Sequence, residues 1–496
     1  MSKNNSKFQL IWMILISVGV QVLTLIKSSI IASNFGAGIE LDAFNLSNNI
    51  TSFVTTLAAS GITTVILPAY VRKADRKSTD SFLTGIFLLI ATLYALIFVA
   101  RHPLVSLLSG KTGQFVAYTD GILGFTILIQ SVAAIVSMTA AFYQSEDKFV
   151  IPKIINMFTG FLSVIILLLM KEFTIYQYVM VLLSCSVAQL IIDVSIAVAC
   201  GFRFSISFAF CSKETVALFK VFLPMVISSG VYQIHSLVDS IISSGLAEGN
   251  LTVLTYANQI VSAVNSLIIG NLTLYAYPRI VRAHAGSIKD GMHTTSRYAI
   301  SFHLIICCLI TGFFACGKDV ISLIFRRGKF DESAVFMTFC CAMIYIFGQQ
   351  ANIIRDLIYR FYYADKDTVT TLKNSMTVSA LNIVLSIILA RFMGLYGIVI
   401  GTILSSSYSL FAILGRTKKK YALTPFAKKD VLELLKNEVA LLFSCTMIWI
   451  LQQVVYFEYL FLNILFFGMI SVAMFILSLF TTKSRTVLRL IKRSEV

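Results

Sequence analysis

The sequence predicts an all-α polytopic membrane protein with about fourteen transmembrane helices: two six-helix lobes around a central cavity, followed by two C-terminal helices. Three observations predict it. Hydrophobic residues make up 57% of the chain and charged residues 13%, too little polar surface for a soluble fold of 496 residues. Apolar stretches of about 18 residues or more recur from end to end, each long enough to cross a hydrocarbon core of roughly 30 Å as a helix. The basic residues, finally, alternate in phase with those stretches.

In order, the spans fall at 8–33, 43–70, 81–100, 116–142, 150–170, 174–200, 215–244, 251–278, 298–316, 333–358, 372–390, 393–415, 433–453 and 456–480. The first follows a basic start, but its apolar run outlasts a signal-peptide core and has no small-residue cleavage pattern, so it reads as a membrane helix. With the N-terminus inside, 28 Lys and Arg fall on cytoplasmic segments and eight on outer ones, the distribution that retains basic flanks on the cytoplasmic side. Both termini are then cytoplasmic. The richest inner segments hold Arg72, Lys73, Arg76 and Lys77, then Arg416, Lys418, Lys419, Lys420, Lys428 and Lys429, then the tail from Lys483. The hairpin "NFGAGIELDAF" at 34–44, with Glu40, Asp42 and no base, lies outside. The net charge of +16 therefore reports topology, and nucleic acid is discarded as a partner. The nine Cys sit mostly within apolar stretches and read as small core residues, with no disulfide or metal site expected.

"PAYVRKA" at 68–74 and "PRIVRAH" at 278–284 share Pro, Val and Arg in register, with an even number of spans between them, as a parallel duplication requires. The expected domains are an N-lobe at 1–213, a C-lobe at 214–415, a cytoplasmic linker at 416–432, and 433–496 for the last two helices and a basic tail.

No catalytic motif is found, so the chain is not expected to be an enzyme. "SGKT" at 109–112 imitates a phosphate loop, but Val105 stands where that loop needs glycine. The informative residues are polar groups inside spans, where uncompensated charge costs about 2.5–3.5 kcal/mol. Span 2 carries Asn45, Asn48, Asn49, Ser52, Thr55 and Thr56 at helical spacing; span 8 carries Thr255, Asn258, Gln259, Ser262 and Asn265. Span 1 adds Gln21, Thr24, Lys27 and Ser28, and span 7 adds Tyr232, His235, Ser236, Asp239 and Ser243. A hydrated cavity is the economical arrangement; the alternative for each residue singly is helix-to-helix bonding. Lys27 reads either as an ion-pair partner of Asp42 or as an anion contact, and His235 with Asp239 either as a structural bond or as a coupling site.

The stretches "NFGAGIELDAFNLSNNI", "GVYQIHSLVDSIISS", "TYANQIVSAVNSLIIGNLTLYAYPRIVR", "IFRRGKFDESAV" and "FYYADKDTVTTLKNSMTVSALNIVLS" resemble the MviN/MurJ-type lipid II flippases, within the superfamily of polysaccharide exporters and multidrug antiporters. The resemblance implies paired lobes, alternating access and a saccharide carried on a polyprenyl diphosphate. It also implies cavity arginines, suited to phosphate by their forked donors. At the matching positions this chain has Gln21, Lys27, Thr55 and Gln259, keeping only the acid Asp42 and one cation. A cation held by some relatives would here meet Asp239, Asn382 and Thr402, with Ser386 where a second acid is expected.

The reading is a flippase moving a polyprenyl-diphosphate-linked saccharide, lipid II-type or another surface-polysaccharide unit, from inner to outer leaflet. Its expected cavity residues are Gln21, Lys27, Asp42, Asn48, Thr55, Asn258 and Gln259; its expected coupling residues are Asp239, His235, Asn382 and Thr402. No cofactor is expected beyond Na⁺ or H⁺ as coupling ion. Partners are the lipid-linked saccharide, membrane lipids and proteins of cell-envelope biosynthesis. The alternative is an ion-coupled drug or organic-cation antiporter of the same superfamily; a membrane glycosyltransferase and an inactive scaffold are the remaining competitors.

Overall fold

The computed structural model describes residues 3–71, 75–146, 148–455 and 457–482. The side chains of Lys3, Lys7 and Tyr232, residues 72–74 of the internal echo and the basic tail from residue 483 lie outside the described part. Compactness divides the chain into two units, Met1–Thr252 with Arg327–Phe330, and Val253–Arg326 with Asp331–Val496.

The first unit holds α1 (Lys3–Phe35), α2 (Ile39–Val71), α3 (Arg76–Val99), α4 (Arg101–Ser109), α5 (Gln114–Ser145), α6 (Val150–Met170), α7 (Ile175–Ala199) and α8 (Lys213–Gly245). Its helices begin where short polar side chains accept the first free N–H groups: Asp75 takes Ser78 N–H, Ser212 takes Thr215 N–H, and Thr174 forms a capping box with Gln177. α2 is the hub, packed along α5 and α8. Val54, Ala58, Ile62, Phe82, Ile86, Met138 and Phe222 fill the space between α2, α3, α5 and α8. The segment after α7 runs extended along α3: Ser205 N–H and Oγ donate to Asp80, and Ala209 N–H donates to Ser81 Oγ.

The second unit starts within α9 (Asn250–Val264), which passes through one π-helical turn (Asn265–Ile269) into α10 (Gly270–Gly286). Then come α11 (Ile288–Phe325), α12 (Glu332–Ala364), α13 (Thr368–Met393), α14 (Leu395–Tyr421), α15 (Lys428–Val454) and α16 (Leu460–Thr481). α11 is the hub here, touching α10, α12, α15 and α16. Large apolar side chains such as Phe461, Leu462, Met469 and Phe480 stay exposed on α16, which suits a lipid surface and not water.

Among the described residues there is no strand, and each expected span lies on one helix or, for span 8, on the α9 to α10 run. Among the described residues twelve spans are long and apolar enough to cross a membrane; α2 and α8, at 33 residues each, hold the second and seventh expected spans. The differences lie at the ends, because a helix continues into water while the apolar signal stops at the hydrocarbon edge. α11 runs through Phe325, so the expected outer segment 316–333 shrinks to a tight turn after Arg326. Lys418, Lys419 and Lys420 form the last turn of α14, where the helix dipole favours cations, so the expected linker 416–432 contracts to residues 422–427. The unit boundary also departs from the expected lobe limit at 213/214, because α8 packs on α2 and α3.

At the C-terminal end of α1 the turn after Arg326 is threaded through glycines. Gly328 has φ +55°, Lys329 N–H donates to Ser33 O at 3.0 Å, and a Cβ on Gly328 would lie 2.1 Å from Ser33 O. Gly328→Ala is therefore expected to lower stability by about 1–3 kcal/mol. Gly415→Ala in α14, where an added Cβ meets nothing within 4 Å, stays neutral or gains up to about 1 kcal/mol. Thermal unfolding of the purified variants checks both.

Candidate functional site

The polar residues of α2 divide into two stripes. Asp42, Asn45 and Asn49 share one face, and Ser47, Asn48, Thr51 and Thr55 lie further round the helix.

The first stripe meets α8 and the start of α9. Asp42 is fully buried; its Oδ2 accepts Gly249 N–H at 2.7 Å, and its Oδ1 accepts Thr252 N–H at 2.8 Å and Thr252 Oγ1–H at 2.7 Å. These are the free N–H groups at the start of α9, so the carboxylate caps that helix from a residue 210 positions away. Glu248 returns the bond, accepting Ile39 N–H at 2.9 Å and capping α2. Asn45 donates to Thr252 Oγ1 and Asn49 donates to Ser240 Oγ at 3.0 Å. Gly249 is required here: its φ is +84°, and a Cβ would lie 2.4 Å from Ala37 O.

The second stripe joins α2 to α5 and α3. Ser47 donates to Thr119 O, and Asn48 Oδ1 accepts Gln130 Nε2–H at 3.1 Å. Thr55 Oγ1 lies 2.5 Å from Tyr94 OH and bonds Gln130 O, while Tyr94 OH donates to Thr51 O. The single wet face expected on α2 is thus corrected: Asn48 and Thr55 are committed to neighbouring helices. Glu248, Gln130 and Tyr94 were not singled out from the sequence, although "EGN" at 248–250 carries an acid and a glycine just before a helix start.

Lys27 on α1 does not take Asp42 as partner, whose oxygens are filled as described; among the described residues no carboxylate forms an ion pair with Lys27, and Cys185 of α7 is within its electrostatic reach. Gln21 lies half-buried on the same helix. On α9, Asn258 is exposed and Gln259 half-buried. The expected coupling residues divide between the units. His235 and the buried Asp239 sit on α8 in the first. In the second, Asn382 on α13 donates to Thr402 Oγ1 of α14 at 3.0 Å and to Ser405 Oγ.

At the opposite end of the second unit, the turn between α12 and α13 is a charged knot. Lys420 Nζ lies 3.0 Å from Asp365 and 2.7 Å from Asp367; His284 and Tyr421 also bond Asp365. Partial burial works to raise the Asp367 carboxyl, but hydrogen bonds from Lys420 and Thr370 outweigh it and hold it at about 2. The "SGKT" segment is a turn in which Gly110 closes α4, while Asp120 pairs with Arg101 at 2.7 Å.

Long apolar helices with buried polar groups among the described residues define a polytopic membrane protein. The sequence pattern described as "Lipid II flippase MurJ" matches residues 31–470, and the chain belongs to that family, a family of transporters. Among relatives, a "Probable lipid II flippase MurJ" of Vibrio cholerae is 22% identical over 414 residues, covering 78% of each chain. One of Helicobacter pylori is 23% identical over 448 residues, 85% of this chain and 95% of that one. The fold is also that of a solved structure, "Lipid II flippase MurJ, inward closed conformation", with TM-score 0.78 at 18% identity over 96% of this chain and 100% of that one. An inward-facing multidrug transporter of the MATE family shares it more distantly, with TM-score 0.64 at 16% identity over 81% and 96%.

Asp42→Asn keeps the shape but turns an NH₂ toward a donor, and is expected to cost about 1–3 kcal/mol in thermal unfolding. Asp367 has a carboxyl held below its ordinary 3.8, so the stability it contributes is present above that value and is lost as pH falls toward about 2. Asp367→Asn should flatten that part of a stability-against-pH curve.

Proposed function

We propose that this chain is a bacterial inner-membrane flippase that moves a polyprenyl-diphosphate-linked saccharide from the inner to the outer leaflet by alternating access, with both termini cytoplasmic. The family match across residues 31–470 carries the reading. Lys27 meets the diphosphate as the cation kept on a helix where relatives of this type hold arginine, and Gln21 bonds the headgroup. With Asn48 and Thr55 engaged by Gln130 and Tyr94, these two act by fixing α2 in place and not by touching the sugar.

Outward release requires the outer ends of α2 and α8 to part, which breaks the Asn49 to Ser240 bond and the caps on Asp42 and Glu248. Na⁺ or H⁺ supplies the drive. Asn382 Oδ1 and Ser386 Oγ, both buried without a hydrogen-bond partner among the described residues, offer oxygen ligands for such an ion. Asp239 is the titratable candidate on α8.

The test is outer-leaflet accessibility of labelled lipid II in cells depleted of their own flippase, with this protein expressed at verified levels. Restored accessibility identifies lipid II as the substrate and shows that one lysine suffices. No restoration removes lipid II and directs the assay to lipid-linked units of other surface polysaccharides; organic-cation counterflow would instead install the antiporter reading. In whichever assay responds, Lys27→Ala is expected to lower transport roughly 10- to 100-fold, with Lys27→Arg retaining it.

A further inference from the structure

Within the second unit, a buried cluster joins α11, α12 and α15, away from every residue used above. His303 and Cys307 are one turn apart on α11, Gln350 is on α12, and Asn437 and Glu438 are on α15. Cys307 and Asn437 are fully buried, His303 is 4% exposed and Gln350 8%; Glu438 is the partly open member.

The distances form a directed set. His303 Nε2 lies 3.0 Å from Glu438 Oε1, which fixes the ring and leaves Nδ1 facing the other way. Nδ1 lies 3.7 Å from Cys307 Sγ and 3.5 Å from the Asn437 amide. Gln350 Nε2–H points at the same sulfur at 3.5 Å. As a hydrogen-bonded cluster this is poorly satisfied, because a thiol and an amide compete for one lone pair at long range. Asn437 Oδ1 meanwhile has no hydrogen-bond partner in a fully buried position, an arrangement native interiors rarely leave unexplained.

A cation resolves the competition at Nδ1. With Zn–N at about 2.0–2.1 Å, Zn–S at about 2.3 Å and Zn–O at about 2.0–2.2 Å, tetrahedral coordination separates N from S by about 3.6 Å and N from O by about 3.4 Å. Those separations match the two contacts of Nδ1 once the Asn437 amide is turned to present its oxygen, an assignment set by the hydrogen-bond network. A carboxylate on the far nitrogen of a metal-binding imidazole is the usual orienting group, and Glu438 occupies that place. The Gln350 N–H steadies a thiolate. One thiolate and the Glu438 carboxylate also balance the charge of a divalent ion, which makes its burial affordable inside a membrane bundle.

We propose that His303 Nδ1, Cys307 Sγ and Asn437 Oδ1 bind one borderline-soft divalent transition-metal ion of the Zn²⁺ class, with Glu438 as the positioning residue. The ion fastens α15, and with it the C-terminal helix pair, to α11.

The test uses the full chain purified in detergent with a histidine-free tag. Metal analysis is expected to find one Zn²⁺ per chain, and exchange with Co²⁺ to give a thiolate-to-cobalt charge-transfer band. Cys307→Ser, nearly isosteric, should abolish the band, Glu438→Gln should weaken Co²⁺ affinity roughly 10- to 100-fold, and Cys340→Ser, outside the cluster, should leave it unchanged. Independently of any variant, a chelator should lower the unfolding temperature of the native chain and added Zn²⁺ restore it. Absence of bound metal together with no cobalt band, or a band that persists in Cys307→Ser, would overturn the site and leave a hydrogen-bonded cluster alone.

Discussion

The first unit is organised around one buried carboxylate. Among the described residues Asp42 forms no ion pair; Lys111 lies within its electrostatic reach, and the free N–H groups at the start of α9 and the Thr252 hydroxyl hold the carboxylate. A buried, unpaired charge costs several kcal/mol, so this end of α2 and the 249–252 turn are stable only together. The turn geometry follows from that constraint. Gly249 adopts a left-handed conformation to bring its N–H to the carboxylate, and Ala37 packs where any side chain on residue 249 would stand. Glu248 capping α2 in return makes the contact reciprocal.

This arrangement explains why the hairpin at 34–44 carries acids and no bases. Glu40 and Asp42 sit in the first turn of α2, where the helix dipole favours negative charge. It also changes what the polar residues of α2 are for. One stripe closes α2 against α8 and the start of α9, and the other anchors α2 to α5 and α3 through Gln130 and Tyr94. The first set consists of side-chain bonds that water could replace; the second set ties α2 to its own bundle.

The fold was legible because its signal is one-dimensional: the length of each apolar stretch and its phase with the basic residues along the chain. These placed every long helix, and they failed only where helices outrun the hydrocarbon, as α11 and α14 do. The site was legible in part. Asp42 stood out as an acid beside a membrane span, but its partners lie more than 200 residues away, and nothing in the spacing points to them. Asn48 and Thr55 fit a cavity face by periodicity, yet a helix inside a bundle has neighbours on most sides, so periodicity alone does not distinguish a cavity from a partner helix. The His303 cluster escaped for the same reason: Cys307 reads as one small core residue among nine Cys until α15 brings Asn437 and Glu438 against it.

The central claim is that α2 and α8 part at their outer ends in each transport cycle. Asn49→Cys with Ser240→Cys places two thiols where a 3.0 Å hydrogen bond now joins these helices, and a short cross-linker between them is the most direct probe. The account predicts that flipping stops in the cross-linked protein and returns when the link is cleaved, with each single variant active. Undiminished flipping by fully cross-linked protein would contradict it.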